Sequence, residues 1–393
     1  MSEQWKLTTE QTEKIREIRI HLHEHPEVSW EEWETSAYIR QILEKLPGVE
    51  IIPNPVETAV IARIKGGSSG RNIALRADID ALVVTEAWES EHVSQNPGVC
   101  HACGHDFHAA SLLGAAMVLS EHREELLGDA ILIFQPAEET TTGAKALIET
   151  GFLKALGVEA VFGLHNRPEV ESGNVVVNPG PMMTAKKNFR ITIHGVGGHG
   201  SMPELCVDPI VCSSAMVQNL QTIVSRNVAP QEAMVLTIGS IHGGTQENLV
   251  VDTVNMTGSM RTFSPEVQER GLERMNAIVE HTALAYECTA ELEIVEEIPS
   301  VWNGQAMYEI AIEATKRAVG EERIVTAQPS MASEDFANFM QEVPGFFYWF
   351  GNRRAEDECF AWHNDHFHVD DEALPYAVLV MAQSVVTAQE LLK

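Results

Sequence analysis

One eight-residue segment of the chain concentrates side chains that bind metal ions. It runs from His101 to His108 and contains three histidines, one cysteine and one aspartate. A thiolate at Cys103 and an imidazole at His105 can reach one ion from the same turn, and Gly104 between them lets the backbone bend. The alternative is a polar turn in front of a helix, with Asp106 as its N-cap residue.

A second segment supplies two adjacent carboxylates directly after an apolar run. Glu138 and Glu139 follow residues 131–134, which we expect to form a strand. Neighbouring side chains on an extended segment face opposite ways, so one carboxylate can bind a metal ion while the other faces a bound water as general base. The alternative is an acidic helix N-terminus, which the helix dipole favours.

Two further polar groups also follow apolar runs. Asp80 comes after residues 73–75, and His165 comes after residues 160–164. The site of an open parallel sheet lies beyond the carboxyl ends of its strands, so we expect both groups to meet the two glutamates at one edge. A lone histidine at a strand end is more often structural, so His165 gains weight only from this convergence.

The segment Trp362–His368 adds three histidines that compete for one role. His363, His366 and His368 are all compatible with metal binding, and their residue types do not choose among them. Thiolate, imidazole and carboxylate groups together suit divalent zinc, manganese, cobalt or nickel. The combined pattern predicts a metal site that distant parts of the chain build together.

The elements that must position these groups alternate between helices and strands. We expect amphipathic helices over residues 8–25 and 31–46, and a buried helix of small residues over 109–119. Apolar runs typical of strands lie at 60–64, 73–75, 131–134, 160–164 and 346–350. This alternation indicates an α/β domain with a largely parallel sheet.

The middle of the chain follows a different order. We expect a strand at 189–193, a helix from Asp208-Pro209 to about Val224, strands at 234–241 and 249–260, a helix at 265–285 and a strand at 290–295. The order β-α-β-β-α-β is that of a ferredoxin-like unit. We therefore predict an inserted domain over 187–298, with the catalytic domain formed by 1–186 and 299–393.

The composition of the chain limits the classes of binding partner and the cellular location that we expect. The 393 residues are 44% hydrophobic, which is enough for two domain cores. A net charge of -30 argues against nucleic acid or an anionic membrane as partner. No apolar run approaches the roughly 20 residues of a membrane span, and Met1–Lys14 has no signal-peptide core, so we expect the cytoplasm. The 6 cysteines should there be free thiols.

Taken together, these segments resemble a known family of metal-dependent amidohydrolases. It includes bacterial N-acyl-amino-acid amidohydrolases, hippurate hydrolases and plant auxin-conjugate hydrolases, within the wider aminoacylase and carboxypeptidase group. The resemblance runs nearly end to end, through residues 22–27, 76–82, 96–106, 134–139, 163–165, 197–199, 207–210, 261–263, 333–336 and 371–375. It implies a mostly parallel-sheet dinuclear-metal hydrolase domain with an inserted α+β ferredoxin-like domain that acts as lid or dimerisation domain.

The resemblance also implies roles for residues of the first domain. The implied metal ligands are Cys103, His105, Glu139, His165 and His363. Cys103 stands where the wider group often has a bridging aspartate, and the family spacing selects His363 over the two neighbouring histidines. Glu138 matches the general base. Asp80 matches the acid that supports a metal ligand.

Three residues of the inserted domain also match family positions. His199 matches a histidine that stabilises the oxyanion, often from a partner subunit, although its glycine-rich surroundings also suit a turn histidine. Asn248 and Arg261 match residues that hold the substrate's carboxylate or carbonyl. The alternative for Arg261 is a surface ion pair.

The implied activity is hydrolysis of the amide bond in a small N-acyl-L-amino acid. Two divalent metal ions, zinc or manganese with nickel or cobalt as alternatives, would activate the water, and the enzyme would be a homodimer. An exopeptidase for dipeptides would use the same chemistry. A thiol amidase with Cys103 as nucleophile and a non-catalytic metal-stabilised binding protein are the rivals. Departures from the family at Val83, Phe107 and Trp302 leave the preferred acyl group open.

Overall fold

The structure, a computed structural model, describes residues 5–392 and divides the chain into two compact units. The first unit comprises Met1–Gly180, Trp302–Gln328 and Asp335–Lys393, and the second comprises Pro181–Val301 and Pro329–Glu334. Residues 1–4 and 393, which belong to the predicted catalytic domain, lie outside the described residues.

The five helices expected from sequence are present to within a few residues, and five further α-helices have no counterpart among the expected segments. In the described chain the α-helices are α1 (Thr9–Glu24), α2 (Trp33–Leu43), α3 (His105–Glu121), α4 (Gly143–Glu149), α5 (Phe152–Ala155), α6 (Pro209–Thr222), α7 (Pro265–Ala285), α8 (Gln305–Val319), α9 (Phe339–Glu342) and α10 (Leu374–Leu391). None of the helices in this part of the chain has the length and apolar composition that a membrane crossing requires.

The strands include those expected from sequence except the one over 249–260, and several of them are longer than predicted. They are β1 (Val49–Ile52), β2 (Val60–Ile64), β3 (Asn72–Asp78), β4 (Ala130–Gln135), β5 (Val158–Glu171), β6 (Val175–Val176), β7 (Gly180–Met183), β8 (Ala185–His194), β9 (Gly198–His199), β10 (Met234–His242), β11 (Leu249–Val250), β12 (Thr253–Thr262), β13 (Thr289–Ile298), β14 (Val301–Asn303), β15 (Ile324–Val325) and β16 (Gly345–Arg353).

An eight-stranded sheet forms the centre of the first unit. Its order is β1-β2-β4-β3-β5-β16-β6-β15, and the four strands β4, β3, β5 and β16 run parallel. Every residue of β4 is buried, as expected for a parallel strand covered on both faces. The parallel strands bring the segments that follow β3 and β4 to one edge of the sheet.

The buried helix α3 packs tightly in the first unit. A Cβ added at Gly114 would lie 2.5 Å from Val378 Cγ2 of α10 and 2.8 Å from Ile15 Cδ1 of α1, so glycine permits this close approach. The start of α3 corrects one alternative. Its N-cap residue is Gly104, with φ of 82 degrees, and not Asp106. Asp106 belongs to the first turn of the helix, and its carboxylate accepts a hydrogen bond from His23 Nδ1 at 2.8 Å.

The second unit has the ferredoxin-like order that the sequence predicts. Its antiparallel sheet has the order β10-β12-β8-β13, with α6 and α7 as the two helices of the β-α-β-β-α-β unit. Phe189, Met216 and Met275 are buried in its separate core. The single strand expected over 249–260 is wrong: β11 pairs with β9, whereas β12 pairs with β8, so different partners split the segment.

Candidate metal centre and active site

Six side chains of the first unit meet in three overlapping groups. The groups are Cys103 with His105 and His165, Cys103 with Glu139 and His363, and His105 with Glu138 and Glu139. Within each group the potential ligand atoms lie within 4.8 Å of one another. The structure therefore brings together the five implied metal ligands and the implied general base.

Distant elements supply these groups. Cys103 lies in the loop before α3 and His105 is the first residue of that helix. The two glutamates follow β4, and His363 lies in the loop after β16. His363 has φ 67 and its backbone N–H donates to Ala102 O at 2.8 Å, so the Cys103 loop holds the backbone of the His363 loop.

His165 lies inside a strand and not after one. The expected strand ends at residue 164, whereas β5 continues to Glu171. Pairing between β3 and β5 ends at Arg76 and Gly163, while β16 still pairs with β5 at His165 through Trp349. His165 thus lies past the last residue of β5 that pairs with β3, but it still pairs with β16. Its ring faces Cys103.

The two glutamates lie on a turn, whereas the sequence suggested either an extended segment or a helix N-terminus. Thr141 N–H donates to Glu138 O at 2.6 Å and Gly143 N–H donates to Ala137 O at 3.1 Å, while α4 begins only at Gly143. The segment is therefore neither extended nor a helix N-terminus. Because a turn does not alternate its side chains, both carboxylates can lie near His105.

Glu139 lies between two imidazoles. Its Oε1 is 3.8 Å from His105 Nε2, and its Oε2 is 3.4 Å from His363 Nε2. On the other side of the centre, Cys103 Sγ is 3.5 Å from His165 Nε2. Nitrogen, oxygen and sulfur atoms thus lie close enough to one another to share a cation.

Hydrogen bonds orient two of the histidines. His105 Nδ1 donates to Asp80 Oδ1 at 3.1 Å, and His165 Nδ1 donates to Asn166 O at 2.8 Å. In a neutral ring each bond keeps the proton on Nδ1, so that the lone pair of Nε2 is free to face the centre. Asp80 Oδ2 also accepts from Ser29 Oγ at 2.7 Å and from Glu139 N–H at 3.0 Å, so this carboxylate positions two candidate ligands.

The centre has the atoms that a cation would satisfy. His105 Nε2 and Glu139 Oε1 are buried without a hydrogen-bond partner among the described residues. Buried polar atoms are nearly always paired, so two orphans facing each other point to a missing partner. A thiolate, imidazoles and a carboxylate fit a divalent cation of the zinc or manganese type.

Charges shift the pKa values of the centre. Burial alone would lower the pKa of His105, but Asp78, Asp80 and Glu139 raise it to about 10. Burial raises the pKa of Glu139 to about 7, and burial with the nearby glutamates raises that of Cys103 well above its ordinary value. Without a cation the thiol is protonated and a poor nucleophile, which counts against a thiol amidase.

The two other histidines of the 362–368 segment lie away from these groups. His366 Nδ1 pairs with Asp365 at 2.7 Å, and the His368 ring stacks on Trp88 at a centroid distance of 3.8 Å. Only His363 of the three lies beside Glu139.

Sequence reasoning gave no role to two polar residues beside the centre, Asp78 and His108. Asp78 Oδ2 lies 3.8 Å from His105 Nε2, and His108 Nδ1 bonds to Asp78 Oδ1. His108 Nε2 accepts from Asn166 N–H at 2.8 Å, so both its nitrogens are engaged and it supports the centre without ligating. The available signal was spacing, since Asp78 and Asp80 are two residues apart and share a face of an extended segment.

The three candidates of the second unit form a separate set. Leu249 of β11 pairs with His199 of β9, and Gly200 N–H donates to Asn248 O at 2.9 Å, so the His199 and Asn248 segments are adjacent. Arg261 donates to Met331 O at 2.9 Å and to Ser333 Oγ at 3.0 Å. Both acceptors are neutral, so the alternative of a surface ion pair for Arg261 is not found among the described residues.

Known proteins resemble this chain over almost its whole length. An N-acetylcysteine deacetylase from Bacillus subtilis is 40% identical, covering 97% of this chain and 98% of its own. The IAA-amino acid hydrolase ILR1-like 4 from Arabidopsis thaliana is 38% identical over 93% of this chain and 83% of its own. A crystal structure of a Bacillus subtilis dinuclear metal-binding peptidase from the M20 family superposes with a TM-score of 0.86, at 37% identity, over 98% of this chain and 100% of its own.

A family profile covers the segments that carry the centre. Residues 74–387 match the profile of the peptidase family M20/M25/M40. The matched range includes all six side chains of the three groups and the strands β4, β5 and β16 of the first unit's sheet. The chain therefore belongs to the peptidase family M20/M25/M40.

Proposed function

We propose that this protein hydrolyses the amide bond of N-acyl-L-amino acids and releases the amino acid and a carboxylic acid. The observation that carries the proposal is the convergence of Cys103, His105, Glu139, His165 and His363 in one centre. Relatives over nearly the full chain are a deacetylase of N-acetylcysteine and a hydrolase of amino-acid conjugates. Both remove an acyl group from an amino-acid nitrogen.

The five converging side chains would hold two divalent metal ions, zinc or manganese by preference and nickel or cobalt as alternatives. When bound, the ions lower the pKa of a water molecule and polarise the amide carbonyl. The orphaned His105 Nε2 and Glu139 Oε1 support this assignment. Asp80 would keep His105 in the tautomer that binds metal.

Glu138 is the proposed general base. Its side chain is 6% exposed and belongs to the same group as His105 and Glu139. Its Oε1 accepts the N–H of Asp335 at 3.4 Å, a contact that helps to hold the carboxylate in this group. Glu138 would accept the proton of the attacking water and pass it to the leaving nitrogen.

His199, Asn248 and Arg261 are proposed to bind the substrate from the second unit. Ser201 N–H donates to His199 Nδ1 at 3.2 Å, which places the proton of a neutral ring on Nε2. An exposed Nε2–H is the donor that a developing oxyanion requires. We propose the second unit as a lid and dimerisation domain of a homodimer, and the cytoplasm as the location.

The test is a substrate panel with controlled metal content. N-acetyl, N-benzoyl and long-chain acyl amino acids, together with dipeptides, are incubated with chelator-treated protein before and after addition of zinc or manganese. We expect hydrolysis of acyl amino acids only after metal is restored. Turnover that survives chelation would indicate a thiol amidase, binding without turnover would indicate a binding protein, and a preference for dipeptides would indicate an exopeptidase.

A further inference from the structure

Unusual backbone geometry gathers around the metal centre. Among the described residues, five that are not glycine have positive φ, and four of them lie in segments of the centre: Trp30 at 69, Ala137 at 53, Thr141 at 58 and His363 at 67 degrees. Side chains disfavour this conformation, so surrounding contacts must impose it. Ala137 has no polar side chain of its own that could stabilise it.

A buried glutamate in the connection between α1 and α2 supplies that contact. Glu32 is fully buried, and its Oε1 accepts the N–H of Ala137 at 2.9 Å and the N–H of Trp30 at 3.0 Å. Two of the four positive-φ residues are therefore held by one carboxylate oxygen. The other oxygen, Oε2, is buried and unpartnered within residues 5–392.

The position of Ala137 gives this contact its significance. Ala137 directly precedes Glu138 and Glu139, and its carbonyl accepts from the N–H groups of Thr142 and Gly143. The carbonyl of Ala137 thus closes the turn that carries both glutamates, and Glu32 holds the amide of the same residue.

The same connection holds the centre at a second point. Ser29 Oγ donates to Asp80 Oδ2, and the Trp30 indole N–H donates to Thr142 Oγ1 at 3.0 Å. Three residues within four positions therefore reach the segments around Asp80 and the glutamate turn. Only Glu32 is fully buried among them and contacts the amide next to Glu138.

We propose that Glu32 is a positioning residue that sets the geometry of the Glu138–Glu139 turn. It acts through the amide of Ala137 and touches neither substrate nor metal. Burial raises the pKa of Glu32 to about 7, which fits a role as hydrogen-bond acceptor more than as a charge. The inference rests on the proposed function for its kinetic readout.

Four variants distinguish the effect of the acceptor's position from the effect of its charge and from a general loss of folding. Glu32→Gln keeps the acceptor oxygen at the same distance, Glu32→Asp keeps the charge but is one methylene too short, and Glu32→Ala removes the acceptor. Glu31→Ala is the matched control, because Glu31 is the exposed neighbour in the same connection. We expect Glu32→Ala and Glu32→Asp to lower kcat by about 100-fold with a smaller change in KM, because a catalytic group displaced by about 1 Å costs that much.

The second readout does not require turnover. Cobalt(II) bound at the centre reports the placement of Glu139 through its visible absorption bands. We expect the bands to change in Glu32→Ala and Glu32→Asp and to match wild type in Glu32→Gln and Glu31→Ala. Should Glu32→Ala fail to fold, the comparison of Glu32→Gln with Glu32→Asp still decides.

Two results would overturn the proposal. One is wild-type kcat and cobalt bands in Glu32→Ala or Glu32→Asp. The other is a Glu32→Gln variant as impaired as Glu32→Ala, because the charge would then matter and not the acceptor position. If the wild-type protein hydrolyses no acyl amino acid, the proposed function fails, while the cobalt bands still test the position of the turn.

Discussion

Asp80 shows how a single residue can organise the whole centre. One oxygen accepts from His105 Nδ1, and the other accepts from Ser29 Oγ and from Glu139 N–H. All three groups are hydrogen-bond donors. An aspartate carboxylate accepts at both of its oxygens, and no other side chain of that size can accept all three bonds. Its two oxygens connect a helix start, a turn and a loop.

Replacing Asp80 by Asn should weaken metal binding. One oxygen becomes an NH2 donor that must face another donor, so His105 or Glu139 loses its orientation. We expect metal affinity to fall by about 10–100-fold. Competition with a coloured chelator measures it, and Ser29→Ala, which removes only one of the three bonds, should fall less. An unchanged affinity in Asp80→Asn would contradict this role.

Removing Glu138 should separate catalysis from metal binding. Glu138→Ala is expected to lose about 100- to 10,000-fold in kcat, since no other group would take the proton of the attacking water. Its metal content should stay at the wild-type value. Glu149→Ala, an exposed glutamate at the end of α4, is the control. Turnover that survives in Glu138→Ala means that another group is the base.

At the scale of elements, the turn between β4 and α4 is the critical part. A Cβ added at Gly143 would lie 1.7 Å from Pro136 O. This separation is close to the length of a covalent bond and far shorter than any contact between packed atoms. The turn can close only if this position is glycine. The closure then delivers Glu138 and Glu139 to the edge of the sheet.

Gly143→Ala should therefore impair both folding and activity. The overlap with Pro136 must be relieved by moving the backbone of the turn, at a cost of about 1–3 kcal/mol in the free energy of unfolding or more. Urea unfolding measures the loss, and kcat should fall as well because the glutamates move with the turn. Gly304→Ala is the control, because no atom lies within 4 Å of its added Cβ. Wild-type stability and kcat in Gly143→Ala would show that the turn is not constrained.

Sequence patterns predicted the elements well because local rules determine them. Asp208 followed by Pro209 marks the start of α6, and its carboxylate accepts from Ile210 N–H at 2.9 Å. The structure places Glu138 and Glu139 in the predicted cluster but on a turn and not on an extended segment. Nothing local in the sequence reveals that Glu32, 105 positions before Ala137, bonds to this turn. The end of β5 was missed for a similar reason, since only pairing with β16 extends it past His165.

At the scale of the whole molecule, a buried charge network joins α1 to α3 within the first unit. His23 bonds to Asp106 at 2.8 Å and to Glu86 at 3.0 Å, and Arg19 lies 3.7 Å from Asp106. Burial alone would lower the pKa of His23, but the bonds to Asp106 and Glu86 raise it to about 9. The folded state therefore favours the charged imidazolium.

This network predicts a pH dependence of stability. A raised histidine pKa stabilises the fold fully below the unfolded value of 6.5, and the contribution disappears as the pH rises through about 9. The difference in unfolding free energy between metal-free wild type and His23→Gln should thus shrink between about pH 6.5 and 9.5, by no more than about 3.5 kcal/mol. A difference that stays constant over this range would contradict the assignment of charge to His23.

The central claim is that one thiolate, one carboxylate and three imidazoles of this chain bind two cations. The most direct measurement is a titration of metal-free protein with cobalt(II), followed by visible and near-ultraviolet absorption. We predict saturation at two ions per chain and a sulfur-to-cobalt band that is absent in Cys103→Ser. Saturation at fewer than two ions, or a sulfur band that persists without Cys103, would contradict the account.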